Sequence, residues 1–135
     1  MKNKPKILII DDDPNCLELL RINLEYNGYQ VATASGGADG YGKVLLELPD
    51  VIILDICLPD INGWQVCDML KKNKHGKNIP VVFLSASSQK DDLERSKLHE
   101  ADMFLTKPFD PAELIQMLNS IMIRKSRPNH TGNAV

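Results

Sequence analysis

Three consecutive carboxylates, Asp11, Asp12 and Asp13, end the aliphatic run ILII at residues 7–10. Two unit charges a few ångström apart repel by roughly 4 kcal/mol at an effective dielectric of about 20. A chain that keeps such a cluster needs either a cation against it or a helix to cap, and one helix needs one cap. Asp13, followed by Pro14, suits the N-cap and N1 positions of the next helix, which leaves Asp11 and Asp12 for a cation. Three more largely apolar runs lead into polar residues: VIIL into Asp55, VVFL into Ser85 and FLT into Lys107. Three carboxylates, a hydroxyl and an ammonium suit a hard cation with oxygen ligands. Mg²⁺, with Mn²⁺ as its substitute, takes one or two carboxylates, several waters and phosphate oxygens. A carboxylate can also act as a nucleophile and carry an aspartyl-phosphate. A metal and a lysine then neutralise the equatorial oxygens of the phosphoryl group in transfer.

These residues need a frame that brings four distant positions together. Five short runs rich in β-branched residues read as strands: KILII (6–10), YQVATA (29–34), DVIILD (50–55), PVVFLS (80–85) and DMFLT (102–106). The first, third and fourth are apolar on both faces, as central parallel strands covered by helices are. The second alternates and reads as an edge strand. Amphipathic segments lie between them. Residues 14–27 place Leu17, Leu20 and Leu24 on one face and stop at Gly28. Residues 37–48 form a second helix, weakened by Gly37, Gly40 and Gly42. Residues 62–74 form a third, with Trp64 and Cys67 as packing residues, and 89–100 a fourth, with Ser88 and Asp91 in capping-box-like spacing. Residues 111–125 form a fifth, opened by Asp110, Pro111 and Glu113. The alternation βαβαβαβαβα implies an α/β fold, a parallel sheet with helices on both faces and right-handed crossovers. In such sheets ligands bind at the carboxyl ends of the strands, and the polar residues fall there.

The bulk properties are those of one domain with a real core: 135 residues, 43% hydrophobic and 25% charged. A net charge of −2 favours neither nucleic acid nor an anionic membrane as a direct partner. The start MKNKPK leads into a four-residue apolar run, too short for a signal peptide or a membrane span. Cys16, Cys57 and Cys67 are odd in number and lack metal-ligand spacing, so they read as reduced thiols of a cytoplasmic protein. His75 and His99 have no partners at ligand spacing. Lys71, Lys72, Lys74 and Lys77 read as the solvated end of the third helix. Residues 1–125 read as the domain and 126–135 as a polar, aperiodic tail.

ILIIDDDP, PDVIILDICLPDINGW, VVFLSAS and FLTKPFD, in this order and spacing, resemble the response-regulator receiver domain of two-component signalling. The resemblance covers residues 5 to 125. It implies a doubly wound, flavodoxin-like (βα)5 fold with strand order 2-1-3-4-5. It makes Asp55 the phospho-acceptor, and Asp11, Asp12, Asp55 and the backbone carbonyl of Cys57 the Mg²⁺ ligands. Ser85 matches the hydroxyl that turns towards the phosphoryl group, Lys107, before a cis Pro108, the lysine that contacts it, and Phe104 the aromatic switch. The implied donor is a sensor histidine kinase or a histidine phosphotransfer protein, with the receiver catalysing the transfer itself. The implied output is a downstream protein effector, or a homodimer, reading the face of the fourth and fifth helices and fifth strand. Cys57 and Ser87 stand where family members tune dephosphorylation, and neither is a carboxylate or amide, which implies a long-lived phosphorylated state. Two other readings compete. A small phosphatase of the haloacid dehalogenase type would use Asp11 and Asp13, but Asn15 stands where that family wants Thr and Asp55 would be idle. A degenerate receiver acting as an unphosphorylated binding module would not need the full set of Asp11, Asp12, Asp55, Ser85 and Lys107.

Overall fold

The computed structural model describes residues 4–86 and 103–126. The strands are β1 (Lys6–Ile10), β2 (Gln30–Ala34), β3 (Val51–Asp55), β4 (Val81–Ser85) and β5 (Met103–Thr106). The helices are α1 (Pro14–Tyr26), α2 (Gly37–Glu47), α3 (Gly63–Lys71) and α4 (Pro111–Ser126). All strand pairs are parallel, in the order β2-β1-β3-β4-β5. The alternating strand, β2, is at an edge, as its pattern implied. The helix expected at 89–100, with Ser88, Asp91 and His99, lies outside the described residues.

Side chains alternate across each strand, so the aliphatic runs feed two cores. Leu8, Ile10, Ile52, Leu54, Val81 and Phe83 point to one face, against Val44 of α2 and Trp64, Val66, Cys67 and Leu70 of α3. Trp64 tilts against Phe83 with ring centroids 4.5 Å apart. Ile7, Ile9, Val51, Ile53, Val82 and Leu84 point to the other face, against Leu20 and Leu24 of α1 and Leu114, Leu118 and Ile121 of α4. Each fully buried aliphatic side chain contributes about 1.5–3 kcal/mol. The three central strands are buried along almost their whole length, which explains why they do not alternate in sequence.

Three details depart from the sequence pattern. Helix α3 stops at Lys71, three residues early, with Lys72 as its C-cap. Asn73 ends it by accepting the His75 amide on its side chain at 2.8 Å, an Asx turn that competes with helix. Helix α2 stops at Glu47 because Leu48 takes a left-handed conformation, φ 47°, just before Pro49. Helix α4 runs on to Ser126 through the polar start of the expected tail; the Lys125 ammonium reaches back to the Asp50 carbonyl at 2.8 Å.

The glycines of α2 have an explanation in packing. A Cβ on Gly40 would stand 2.6 Å from Ile10 Cδ1, and one on Gly37 2.5 Å from Ile61 Cγ1 and 2.6 Å from the Ile61 carbonyl. Both let α2 lie close to β1 and the loop after β3. Gly42 meets nothing within 4 Å.

Candidate functional site

The strand register brings the polar residues to one rim. Ile10 pairs with Leu54, Asp55 with Leu84 and Ser85 with Thr106. Asp11, Asp55, Ser85 and Lys107 therefore emerge side by side at the carboxyl ends of β1, β3, β4 and β5. Strand β1 lies between β2 and β3, so the chain changes direction across the sheet there, where an open α/β sheet places its ligand.

Asp11, Asp55 and Ser85 are buried, at 0%, 5% and 3% exposure. Asp12 is exposed. The Lys107 ammonium donates to Asp11 Oδ2 at 2.8 Å and to Asp55 Oδ2 at 3.5 Å. The second oxygen of Asp11, Oδ1, accepts the Asp13 amide at 2.9 Å. The Cys57 amide donates to Asp55 Oδ1 at 3.1 Å. The Lys107 amide donates to the Ser85 carbonyl at 2.6 Å, which fixes the start of the loop, and the Lys107–Pro108 bond is cis. Asp13 caps α1 by accepting the Asn15 amide at 3.0 Å, so the third aspartate of the run serves the helix.

The two buried carboxylates are pushed apart in acidity. Burial, and next the charge of Asp11, raise Asp55 to about 6, against the smaller pull of Lys107 and the Cys57 amide. Burial alone would raise Asp11 too. The Lys107 ammonium, the Asp13 amide and the Cys16 thiol together outweigh it and hold Asp11 below the usual carboxylate range. Lys107 is lifted by its two carboxylate neighbours, against burial, and stays charged. Cys16, on the first turn of α1, is pushed up to about 12 by burial and next by the neighbouring Asp11 carboxylate, so it stays a thiol. Among the described residues one ammonium faces two buried carboxylates, and Asp55 is the one left short of compensation.

Asp11, Asp12 and Asp55 each offer an oxygen within 4.8 Å of the others. Octahedral Mg²⁺ places neighbouring ligand oxygens about 3 Å apart and opposite ones about 4 Å apart. A small closure of the three carboxylates meets that geometry, and the all-oxygen donor set suits Mg²⁺ or Mn²⁺. Phe104, on β5, is half-buried against the α2–α3 core and pairs in register with Phe83. Cys57 is exposed in the loop after β3. Ser87 lies outside the described residues. His75 is engaged through its amide by Asn73.

Sequence reasoning overlooked two contributors. Cys16 lies beside Asp11 and is coupled to it electrostatically, a role that its reading as a plain reduced thiol gave no reason to expect. Asp60 caps α2 from another loop: its two oxygens accept the Gly37 and Ala38 amides at 2.8 and 2.9 Å. Its partners are more than twenty residues away, so no local pattern reveals it. The capping box of α3, Asn62 with Gln65, did have a legible signature three residues apart.

The chain matches the family described as response regulator receiver domain over residues 7–119. It belongs to that family, the receiver domains of two-component response regulators, which act as signalling switches. It is 40% identical over 123 residues to the DNA-binding dual master transcriptional regulator RpaA of Synechocystis, covering 91% of this chain and 51% of that protein. It is 36% identical over 117 residues to protein PilH of Pseudomonas aeruginosa, covering 87% of this chain and 97% of that one. The chain thus spans about half the length of RpaA but nearly all of PilH. Among solved structures, the Francisella response regulator 1452 receiver domain superposes with a TM-score of 0.84 at 30% identity, covering 90% of this chain and 99% of that one. The flavodoxin-like order 2-1-3-4-5 expected from the sequence is thus present in the structure and in its relatives. The dehalogenase-type and degenerate-receiver readings find no support. No helix among the described residues is long and apolar enough to cross a membrane.

Proposed function

We propose that this receiver takes a phosphoryl group from a phosphohistidine onto Asp55 and changes the surface that a protein partner reads. The observation that carries this reading is the buried Asp11–Lys107–Asp55 cluster at the switch point of the sheet. A carboxylate oxygen of Asp55 attacks phosphorus, the O–P bond forms and the N–P bond of the donor breaks. The imidazole leaves with its electron pair and picks up a proton. Asp11, Asp12, Asp55 and the carbonyl of Cys57 would hold Mg²⁺, or Mn²⁺, which when bound offsets charge on the phosphoryl oxygens. Lys107 sits 3.5 Å from Asp55 Oδ2 and donates to a phosphoryl oxygen once Asp55 is esterified. The Cys57 amide, already on Asp55 Oδ1, orients the attacking carboxylate. Ser85 gives its hydroxyl to the new phosphate, and Phe104 follows it inward. Metal removal lowers the transfer rate, because among the described residues only the Lys107 ammonium then faces the incoming charge.

The donor is a sensor histidine kinase or histidine phosphotransfer protein, and the output passes to a protein effector or a second copy of the chain. With Cys57 beside the acceptor supplying neither a carboxylate nor an amide side chain to a hydrolytic water, the phosphorylated form is long-lived. Residues 1–125 form the receiver unit, with 126–135 as its tail, in a cytoplasmic protein. Borohydride reduction of the labelled protein tests the acceptor, because it converts an aspartyl-phosphate to homoserine. Peptide mapping is expected to find homoserine at position 55; homoserine at position 11 would overturn the assignment.

A further inference from the structure

The loop after β3 is held at more points than its capping role explains. At its base the Gly63 amide donates to the Ile56 carbonyl at 2.8 Å, and a Cβ on Gly63 would lie 2.5 Å from the Asp55 carbonyl. At its start, the Cys57 amide bonds the acceptor carboxylate. At its tip, Asp60 grips the first two amides of α2, and Ile61 fills the space that Gly37 leaves open. The loop is therefore clamped between the acceptor and the start of α2. An ionised carboxylate accepting two backbone amides at a helix N-terminus forms a strong pair of charge-assisted bonds.

We propose that Asp60 is a positioning residue for the phosphoryl site: by tethering the acceptor loop to α2 it fixes Cys57, whose amide holds Asp55 and whose carbonyl faces the metal. The inference rests on the reading of Asp55 as acceptor and Cys57 as ligand. Asp60 is not one of the carboxylates gathered at the acceptor, Asp11, Asp12 and Asp55; its oxygens are on the α2 amides. Freed of Asp60, the loop samples positions in which the Cys57 carbonyl is misplaced, and Mg²⁺ affinity falls. Loss of an outer partner of a metal ligand costs about 10–100-fold in affinity; about tenfold, the lower end, is expected for a tether three residues along the chain from Cys57.

The test separates the tether from the helix cap. Asp60→Ala removes both. Asp60→Ala with Gly36→Ser restores the cap only. Gly36 is the extended N-cap residue of α2, φ −148°, and the atoms nearest its Cβ position belong to Asp60. Mg²⁺ affinity is measured by calorimetry, loop amide exchange at 57–62 is measured without metal, and thermal melts report the cap. The expected result is a melting temperature lowered in the single variant and recovered in the double variant. Mg²⁺ affinity remains about tenfold down in both, with faster exchange at Cys57. Recovery of affinity together with melting temperature in the double variant would reduce Asp60 to a cap and overturn the proposal, as would unchanged affinity in the single variant. A wild-type protein that binds no Mg²⁺ would instead sink the reading on which the proposal rests, and the proposal with it.

Discussion

At the residue scale, the site is a charge imbalance held in the native state. Asp55 is raised to about 6 in a fold that buries it beside Asp11. A raised carboxylate contributes its full stability below the unfolded value, near 3.8, and loses it as pH rises through about 6. In EDTA, Asp55→Asn is therefore expected to match wild type near pH 3.5 and to exceed it at pH 7.5. A displacement of that size corresponds to about 2–3 kcal/mol as a ceiling. Urea melts across this pH range check it; a gap that does not grow with pH would refute the imbalance. Among the described residues, Lys107 is the only cation bonded to both carboxylates. Lys107→Met leaves two buried charges facing each other, and is expected to cost about 3 kcal/mol at pH 7.5 without metal. The loss should shrink below pH 6, as Asp55 protonates, and on adding Mg²⁺. A loss independent of both would mean that the lysine acts only through packing. The strand-end residues Asp11, Asp12, Asp55, Ser85 and Lys107 were legible in the sequence because they stand at the ends of largely apolar runs. Cys16 and Asp60 were not, since a thiol on an apolar stripe and an exposed acid in a loop look ordinary until the chain is folded.

At the scale of elements, each secondary structure is set by local chemistry, and the mismatches have local causes. Helix α1 was legible to its caps: Asp13, Pro14 and Gly28 bracket it. Helix α3 ended early because the Asn73 side chain took the His75 amide, an outcome that apolar periodicity cannot forecast. The glycines of α2 read as weakness, yet two of them are contact points. Gly40→Ala drives a methyl group to within 2.6 Å of Ile10 in the core. It is expected to destabilise by about 1–3 kcal/mol through overpacking. Gly42→Ala points into open space and is expected to stabilise by about 0.5–1 kcal/mol through lower unfolded-state entropy and better helix propensity. Thermal or urea melts of the two variants side by side decide the matter. Equal effects would mean that α2 does not pack as closely as described.

At the scale of the whole molecule, the sheet turns sequence order into a site. Asp11 and Lys107 are 96 residues apart in the chain and 2.8 Å apart in space. Parallel strands with crossover helices place every strand's carboxyl end on one rim, which is why the last residues of the runs mark the polar cluster in the sequence. The strand order 2-1-3-4-5 came from the family resemblance; β-alternation alone fixed the parallel sheet and the edge position of β2. On the proposed reading, what the receiver does with that rim turns on one covalent event. Intact mass after incubation with acetyl phosphate, with and without Mg²⁺, for wild type and Asp55→Asn reads it. The expected result is a gain of one phosphoryl group that needs Mg²⁺ and is absent in Asp55→Asn. A gain that survives Asp55→Asn, or no gain in wild type with Mg²⁺ present, would contradict the assignment of this site as a phospho-acceptor.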